Sequence, residues 1–461
     1  MEQRMIDSMI KRQRKFYSTE KTTSLQFRLQ ALTRLERIIK KYEKHLKQAL
    51  YQDLKKSEVE SYMTEIATVY SEIRYMKQYL PLWDKKKKVS SSIAQFPAKS
   101  YRIREAYGCV LILSPWNYPF LLSIQPLVAS IAAGNCTIIK PSEYAVYTGS
   151  LIEKMIREAF QEHYVAVIRG DTRESEYILE QKFDFIFYTG GERVGKIVLE
   201  KAAKYMTPVA LELGGKSPCI VSETANITLT AKRIVFGKLL NSGQTCVAPD
   251  YVLVQESVQE RLVLEMKKWI QKMYGTQPLS SKDYPAIISK RHYHRLIQLL
   301  QEVLDKEQYE PYLREETLQI APILIENPPF DSTMMKEEIF GPILPVIKYK
   351  TIKEAKQWIK KREKPLALYL FTKDKKEGRK LMKELSFGGG CMNDTIMHLT
   401  SHELPFGGIG MSGMGAYHGK YGYELFTHEK GIVERGMWLD PSLRYAPFRL
   451  YKKWLLQRFL G

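Results

Sequence analysis

The chain has 461 residues, of which 44% are hydrophobic and 26% charged, the balance of a soluble globular protein with two or three domains. Its formal net charge of +20 admits nucleic acid or an anionic membrane as a partner. No apolar run reaches the roughly 18 residues that a membrane-spanning helix needs. The first residues also lack the apolar core of a signal peptide, so we expect a cytoplasmic protein.

The first 80 residues predict helices. Apolar residues recur every three or four positions between Leu25 and Leu46, and a second helical pattern over residues 59–79 stops at Pro81. Residues 84–107 are rich in Lys, Ser and Pro and predict an extended excursion. Basic residues in the helices alternate with apolar ones, as on solvated helix faces. Since no nucleic-acid module is recognisable, most of the charge is expected to be surface.

From Cys109 onward, short apolar runs alternate with helical patterns, the first of which predicts a helix over residues 119–133 with proline in its first turn. The predicted strands are residues 109–113, 136–139, 165–168, 185–188, 209–213, 219–221, 251–254, 320–325, 343–349 and 367–371. This alternation predicts an α/β protein whose two lobes each contain a parallel sheet covered by helices on both faces. Such sheets bind nucleotides at the carboxyl ends of their strands, and a cleft is expected between the lobes.

Five cysteines without a Cys-x-x-Cys pair indicate a reducing compartment rather than a disulfide framework or a zinc knuckle. Cys109, Cys136 and Cys219 lie in or beside apolar runs and are expected in the core. Cys391 follows a glycine run, and its setting stays open. Only Cys246 directly follows a run of small and polar residues in the sequence.

Cys246 lies in the stretch Asn241-Ser-Gly-Gln-Thr-Cys-Val-Ala-Pro-Asp250, just after a predicted helix over residues 227–240. A partly desolvated thiol near backbone N–H groups is in the setting that keeps a cysteine nucleophilic. A buried structural cysteine is the commoner role for a cysteine taken alone. The choice therefore depends on which other residues accompany Cys246.

Polar residues stand near the ends of several predicted strands. Asn117 could donate a hydrogen bond to a developing oxyanion, or could simply hold a turn. Lys140 and Glu143 could bind ribose hydroxyls, or could be a solvated pair beside an N-cap serine. Glu212 ends an apolar strand, where isolated burial would raise its pKa toward that of a general base; a partnered structural glutamate is the alternative.

Two glycine-rich stretches are candidates for a phosphate-binding site. Thr189-Gly190-Gly191 leads from a strand into a helix that contains Gly195, which frees the helix N-terminus for a phosphate, although Gly-Gly also forms plain turns. Gly408-Ile-Gly-Met-Ser-Gly413 matches the dinucleotide-binding pattern but follows no apolar strand, so we interpret it as a flexible loop lining the cleft. His292-x-His294, in a charged helix, and His402-Glu403 complete no metal motif, and no metal site is predicted.

In their order along the chain, these motifs resemble the aldehyde dehydrogenase superfamily from about Leu25 to Val433. The segments most similar to its class 3 branch, which includes fatty aldehyde dehydrogenases, are residues 207–219, 241–251, 337–345 and 404–413. The resemblance implies a Rossmann-like cofactor lobe, a catalytic lobe and a small oligomerisation arm, in a homodimer. The implied boundaries are residues 1–84 and 108–211 for the cofactor lobe, 212–425 for the catalytic lobe, and 85–107 and 426–445 for the arm.

The resemblance also implies the chemistry, which is oxidation of an aldehyde to its acid through a thiohemiacetal and a thioester. It makes Cys246 the nucleophile, Asn117 a donor to the oxyanion and Glu212 the base that activates water. NAD is favoured and NADP is the alternative, since Gly191-Glu192-Arg193 replaces the small polar residue usual after Thr-Gly. The implied cofactor contacts are Trp116, Lys140, Glu143, Thr189, Gly190, Gly195, Leu213, Glu338 and Phe340.

The substrate is indicated by two features. Tyr118 is expected to flank the entrance, as in relatives that take apolar aldehydes. The basic tail, residues 446–461, has four apolar residues on one helical face, the pattern of a helix lying on an anionic membrane. These residues are Phe448, Tyr451, Leu455 and Phe459. Contact with lipid would favour a long-chain aldehyde, whereas a tail that packs on its own dimer or cleft is the alternative.

Two other functions are consistent with the same residues. An enzyme of this fold could transfer the acyl group to coenzyme A instead of water, although a base at Glu212 favours hydrolysis. A basic lipid- or nucleic-acid-binding protein could also retain a degenerate dehydrogenase fold, although the combination of Cys246, Asn117 and Glu212 argues against it.

Overall fold

The computed structural model describes residues 3–92, 95–440 and 442–460. The α-helices are α1 (Gln3–Tyr17), α2 (Leu25–Leu54), α3 (Glu58–Ser61), α4 (Ala67–Trp83), α5 (Leu121–Ala133), α6 (Val146–Ala159), α7 (Thr172–Leu179), α8 (Glu192–Ala203), α9 (Ile227–Leu239), α10 (Gln259–Tyr274), α11 (Lys290–Gln301), α12 (Lys306–Tyr309), α13 (Thr333–Lys336), α14 (Ile352–Lys360), α15 (Lys375–Glu384), α16 (Gly419–Leu425) and α17 (Leu450–Leu460). The strands are β1 (Lys87–Val89), β2 (Ala98–Ala106), β3 (Cys109–Leu113), β4 (Cys136–Lys140), β5 (Val165–Val167), β6 (Phe185–Gly190), β7 (Val209–Leu213), β8 (Pro218–Val221), β9 (Tyr251–Gln255), β10 (Leu313–Arg314), β11 (Gln319–Ile320), β12 (Ile323–Glu326), β13 (Ile343–Tyr349), β14 (Ala367–Phe371), β15 (Gly389–Met392), β16 (Gly413–Met414) and β17 (Thr427–Arg435).

Two six-stranded sheets confirm the predicted α/β fold. In the first, the strand order is β16-β7-β6-β3-β4-β5, and every neighbouring pair except β16–β7 is parallel. In the second, the order is β12-β13-β9-β8-β14-β15, and all pairs are parallel. Strands β3 and β4 are buried at every residue, as expected for continuous apolar runs in a sheet covered on both faces.

The chain passes from the first sheet to the second directly after β7. Only residues 214–217 separate the end of β7 from the start of β8. Because the strands of the first sheet run parallel, the carboxyl end of β7 lies at the same edge as those of β3 and β6. The side chains at that edge therefore face the region where the two sheets come together.

The extended excursion belongs to a separate three-stranded sheet. Its order is β1-β2-β17, and β2 pairs with β17 antiparallel over nine residue pairs, from Thr427 with Ala106 to Arg435 with Ala98. This pairing brings together residues 85–107 and 426–445, which the resemblance grouped as an arm. The role of the arm in oligomerisation stays a prediction.

Two helix boundaries differ from the prediction. Helix α4 does not stop at Pro81 but continues to Trp83, because Trp83 stacks on Tyr79 and the buried Arg28 binds Asp84 just beyond the last turn. Helix α5 was predicted from residue 119 but begins at Leu121. The reason is a distant cap, since Glu65 accepts hydrogen bonds from the backbone N–H groups of residues 120 and 121.

The prediction that residues 408–413 form a flexible loop is partly wrong. Gly413 begins β16 and lies opposite Glu212 on β7. At φ +142°, a β-carbon on Gly413 would lie 2.2 Å from the carbonyl oxygen of Leu211. The glycine therefore allows two backbones to approach closely beside Glu212, which a larger residue would prevent.

The core cysteines are where the sequence predicts them. Cys109, Cys136 and Cys219 are buried, whereas Cys246 and Cys391 are partly exposed. Within the described residues, no helix is both long and apolar enough to cross a bilayer.

Candidate active site

A cavity of about 230 Å³ joins residues from both sheets. Its walls include most of the residues that the sequence singled out: Trp116, Asn117, Thr189, Gly190, Glu212, Leu213, Cys246, Glu338 and Phe340. These residues come from the ends of β6 and β7, from the loop after β3, from the turn after α9 and from the segment between α13 and β13. The fold therefore gathers, in one small space, a thiol, an amide and two carboxyl groups that are far apart in the sequence.

Cys246 lies on a tightly turned segment that follows α9. We call this segment, residues 241–246, the cysteine turn. Asn241 and Ser242 both adopt left-handed backbone conformations, at φ 52° and 51°. The turn is closed by the Gln244 side chain, which donates to the carbonyl oxygen of Asn241 at 2.9 Å. Such conformations are uncommon outside glycine, so the surroundings must hold this turn in place.

The Cys246 thiol is neutral in the free protein. Burial, followed by the neighbouring carboxyl groups of Glu338 and Glu212, raises its pKa to about 12, although the backbone N–H groups of Cys246 and Val247 oppose the shift. The predicted proximity to backbone N–H groups is confirmed, but it does not outweigh burial. The thiol must therefore lose its proton when it attacks a carbonyl group.

Asn117 is tied to the cysteine turn in both directions. Its Nδ2 donates to the carbonyl oxygen of Gln244 at 3.1 Å. Its own carbonyl oxygen accepts from Asn241 Nδ2 at 2.7 Å. These reciprocal bonds place an amide donor beside Cys246, although the two residues stand 129 positions apart.

Glu212 is buried, and among the described residues neither of its carboxyl oxygens has a hydrogen-bond partner. Burial raises its pKa well above the usual value, as its position in an apolar strand predicts. A buried polar group without a partner is rare in proteins and marks a site that a substrate, water or cofactor completes. The pKa of Glu338 is also raised, to about 8, first by burial and then by the nearby carboxyl group of Asp250.

The same cavity fits a nucleotide cofactor. The buried Thr189 hydroxyl has no partner among the described side chains, and the space around Gly191 is open, because a β-carbon there would meet no atom within 4 Å. Both residues immediately precede the N-terminus of α8, where phosphate groups bind readily. Glu192, the departure from the family pattern, is paired with Lys196 at 2.6 Å.

Gly195, Lys140 and Glu143, three of the predicted cofactor contacts, do not line this cavity. A β-carbon on Gly195 would lie 2.7 Å from the side chain of Leu213, so this glycine allows α8 to pack closely on β7, and its contact with the cofactor stays a prediction. Lys140 is buried and donates to the carbonyl oxygen of Gly170 at 2.9 Å, and Glu143 lies 4.0 Å away. Their contact with ribose stays a prediction.

Tyr118 is a buried residue, and its place beside the substrate entrance stays a prediction. It is buried behind the cysteine turn, where its hydroxyl is 2.7 Å from Thr245 Oγ1 and the Lys56 ammonium lies 4.2 Å from the centre of its ring. A cation over an aromatic face is favourable when both are shielded from water, which explains why the ring turns inward.

His292, Arg295 and Gly214 also line the cavity, but the sequence did not identify them. We interpreted His292 as an ordinary polar residue, yet its ring is 4.8 Å from that of Trp116, and burial lowers its pKa to about 4. His292 and Arg295 are three residues apart on α11, a spacing that places both on one face and that the sequence does contain. A β-carbon on Gly214 would lie only 2.0 Å from the Glu338 carboxyl group.

A larger cleft of about 690 Å³ adjoins the site and shares Gly214 and Glu338 with it. Its walls include neither Cys246 nor Asn117 nor Glu212. We therefore assign the chemistry to the smaller cavity. Among the described residues, no group of three or more His, Cys, Asp or Glu side chains gathers as a metal ion requires.

Comparison with known proteins agrees with this geometry. Residues 1–432 match the profile described as "Aldehyde dehydrogenase family". The chain belongs to this family. Further relatives named family 3 members place it on the class 3 branch, and it is an NAD(P)-dependent aldehyde dehydrogenase.

Three similar proteins show how far the likeness extends. The 4,4'-diaponeurosporen-aldehyde dehydrogenase of Staphylococcus aureus is 44% identical over 449 residues, which cover 97% of each chain. A dimeric, NADP-preferring aldehyde dehydrogenase of Canis lupus familiaris is 42% identical over 444 residues, covering 96% of this chain and 98% of that one. The structure of Staphylococcus aureus AldH in a substrate-bound state has a TM-score of 0.95 at 43% identity and covers 99% of both chains.

The raised pKa of Cys246 predicts how the free protein reacts with an alkylating agent. Because the thiolate is the reactive form, the rate of Cys246 alkylation by iodoacetamide should rise about tenfold per pH unit from pH 7 to pH 10. The rate is measured by mass spectrometry of the Cys246 peptide, which separates it from the partly exposed Cys391. A rate that levels off below pH 9 would contradict the assignment of a strongly raised thiol pKa.

Proposed function

We propose that this enzyme oxidises an apolar aldehyde to its carboxylic acid through a covalent intermediate on Cys246. The observation that supports this most is the shared cavity of Cys246, Asn117 and Glu212, in which the Glu212 carboxyl group has no partner among the described residues. A nucleophile, an oxyanion donor and a free base are the three groups that oxidation followed by hydrolysis requires.

In the first half of the reaction, the Cys246 sulfur adds to the aldehyde carbon and the thiol proton passes to solvent water. Negative charge develops on the aldehyde oxygen. Asn117 Nδ2 and the backbone N–H of Cys246 donate hydrogen bonds to that oxygen and stabilise the thiohemiacetal. Since Asn117 is fixed by its bonds to the cysteine turn, little reorganisation accompanies the attack.

The cofactor would be held by residues of the same cavity together with Lys140 and Glu143, which lie outside it. Thr189 and Gly190 would face the pyrophosphate, Lys140 and Glu143 the adenine ribose, and Glu338 and Phe340 the nicotinamide ribose, with Trp116 and Leu213 beside them. A bound nicotinamide would supply the acceptor for the hydride ion that leaves the substrate carbon. NAD is favoured and NADP is the alternative.

In the second half, Glu212 takes a proton from a water molecule, whose oxygen attacks the thioester carbon and releases the acid and the Cys246 thiol. A base works best when its pKa approaches the working pH, and burial shifts Glu212 in that direction. Its lack of hydrogen-bond partners leaves both carboxyl oxygens available for water.

An apolar substrate is favoured by three features. The cavity walls include Pro115, Leu122 and Phe340, which offer no charge to an aldehyde chain. The Staphylococcus aureus relative is named for 4,4'-diaponeurosporen-aldehyde. We predict that Tyr118 flanks the substrate entrance with its ring, since its buried hydroxyl lies 2.7 Å from Oγ1 of Thr245, the residue before Cys246.

Two substitutions separate the halves of the reaction. Cys246→Ala should abolish NADH formation with an aldehyde. Glu212→Gln should allow a single rapid burst of about one NADH per site and then stall, because the thioester is not hydrolysed. Stopped-flow absorbance at 340 nm, without coenzyme A, measures both. Steady rates for Glu212→Gln that equal those of the original chain would show that another group activates water.

We also propose a homodimer built through the arm, residues 85–107 and 426–445. Strand β17 has a neighbour on only one side within the described residues, and an edge strand of this kind readily pairs with another chain. The relative from Canis lupus familiaris is named as dimeric, which supports the proposal.

We propose, finally, that the enzyme works in the cytoplasm and that its basic tail contacts an anionic membrane. Helix α17 presents exposed Leu450, Tyr451 and Trp454, whose exposed fractions are 86%, 55% and 60%. Phe448, which we predicted on the helix, precedes it and is also exposed, and the side chain of Phe459 lies outside the described residues. Exposed apolar residues among lysines and arginines suit the interface of an anionic bilayer.

Replacing Leu450 and Trp454 by serine should lower binding to vesicles that contain anionic phosphatidylglycerol about tenfold. It should also lower kcat/KM for a long-chain aldehyde, because such a substrate partitions into the membrane. The rate with a short aldehyde should not change. Leu264→Ser, at an exposed leucine of α10, serves as the matched control. Unchanged vesicle binding, measured by co-sedimentation, would contradict the membrane contact.

A further inference from the structure

Behind the cysteine turn lies a cluster of charged side chains that the reaction described above does not use. Lys56, Glu60 and Glu65 come from the segment between α2 and α4, and all three are buried. Lys56 Nζ lies 2.6 Å from Glu65 Oε1. Buried charges persist only where partners offset the loss of water, so the contacts of this cluster show what it holds.

Glu60 contacts the turn that carries the nucleophile. Its Oε1 accepts a hydrogen bond from the backbone N–H of Asn241 at 2.7 Å. Asn241 and the next residue, Ser242, are the two with left-handed backbone conformations. An oxygen that accepts from the buried N–H of a strained residue stabilises that conformation, since a buried donor left without a partner is costly.

Asn241, held in this way, binds Asn117 through its own side chain. Its Nδ2 donates to the carbonyl oxygen of Asn117 at 2.7 Å and to that of Gln244 at 3.2 Å. Lys56 Nζ donates to the same Asn117 oxygen at 3.3 Å. The backbone of Asn117 is therefore held from two sides by groups that belong to, or are held by, the buried cluster.

Glu65 holds the segment just beyond Asn117. Its Oε2 accepts from the backbone N–H groups of Phe120 at 2.9 Å and Leu121 at 3.1 Å. These are donors at the N-terminus of α5, where a carboxylate is favoured. One carboxylate thus fixes the start of α5, and the other fixes the cysteine turn.

We propose that Glu60 is a positioning residue for aldehyde oxidation, which holds Asn241 so that Asn117 and Cys246 keep the separation that attack on the carbonyl requires. This inference rests on the roles proposed above for Asn117 and Cys246. Glu60 acts through Asn241, and Lys56 and Glu65 secure the other side of Asn117. The first step of the reaction, the attack of Cys246 on the aldehyde, depends on the separation of Asn117 and Cys246.

The electrostatics of Glu60 agree with this role. The pKa of Glu60 is raised to about 7. Burial raises it most, Lys56 and the Asn241 N–H lower it, and Glu65 and Asp283 raise it. The hydroxyl groups of Tyr118 and Tyr274 also face it. The Asn241 N–H is therefore one of only two groups in this balance that favour the carboxylate.

Four variants test the inference in the full-length enzyme. Glu60→Ala should slow the burst of the first turnover about 10- to 100-fold, with an unchanged KM for NAD, because displacement of reacting groups by a fraction of an ångström has effects of this size. Glu60→Gln retains an oxygen at the same reach and should recover the rate to within about threefold. Glu60→Asp keeps the charge but withdraws the oxygen, and should be slowed. Glu58→Ala, an exposed glutamate nearby on α3, is the matched control.

A double-variant cycle shows whether Glu60 acts through Asn241. If it does, adding Glu60→Ala to Asn241→Ala should slow the burst by less than about threefold further, because the two residues form one unit. Rates that multiply instead would overturn the inference. Full burst rates in Glu60→Ala and Glu60→Asp would also overturn it. Should Glu60→Ala fail to fold, by thermal unfolding, the comparison of Glu60→Asp with Glu60→Gln decides the question.

The failure of this inference differs from that of the proposed function. If Cys246→Ala still forms NADH, the proposed function is wrong. If Cys246→Ala is inactive and Glu60→Asp is as fast as the original chain, only the role of Glu60 is wrong.

Discussion

The site depends on the reciprocal hydrogen bonds between Asn117 and the cysteine turn. Asn117 follows a strand of one sheet, and the turn precedes a strand of the other, so these bonds join the two sheets at the point where the chemistry occurs. An amide that is to stabilise an oxyanion must be oriented before charge develops, since reorganisation during the reaction adds to the barrier. The fold meets that requirement with backbone carbonyl oxygens, which cannot rotate away as side chains can.

Burial raises the pKa of both the Cys246 thiol and the Glu212 carboxyl group, with opposite effects on their reactivity. It keeps the Cys246 thiol protonated, which protects the free enzyme from adventitious alkylation and oxidation. It also raises the pKa of Glu212 toward the range in which a carboxylate accepts a proton from water. One desolvated cavity therefore makes the proposed nucleophile less reactive before substrate binds and the proposed base more effective afterwards. The unpartnered oxygens of Glu212 are the structural sign of this arrangement.

The sequence predicts those features that depend on local pattern. The alternation of apolar runs and helical periods predicts both sheets, and the apolar neighbours of Glu212 predict its burial. Contacts between distant segments could not be predicted, because no periodicity encodes them. Glu60 and Asn241 are 181 residues apart, and nothing near either residue indicates the other. The inward turn of Tyr118 likewise depends on Lys56, and the place of His292 in the cavity depends on how α11 packs. At Gly195, close helix packing and cofactor binding require the same residue, so the motif does not distinguish between the two roles.

The account rests on a covalent acyl intermediate at Cys246, and its mass is the most direct measurement. The Glu212→Gln enzyme is mixed with an aldehyde and NAD, quenched in acid during the burst, digested and analysed by tandem mass spectrometry. The account predicts that the mass of the acyl group is added to the peptide that contains Cys246, in proportion to the NADH formed. NADH formation with no acyl group on Cys246, or with the acyl group on Cys391 instead, would contradict it.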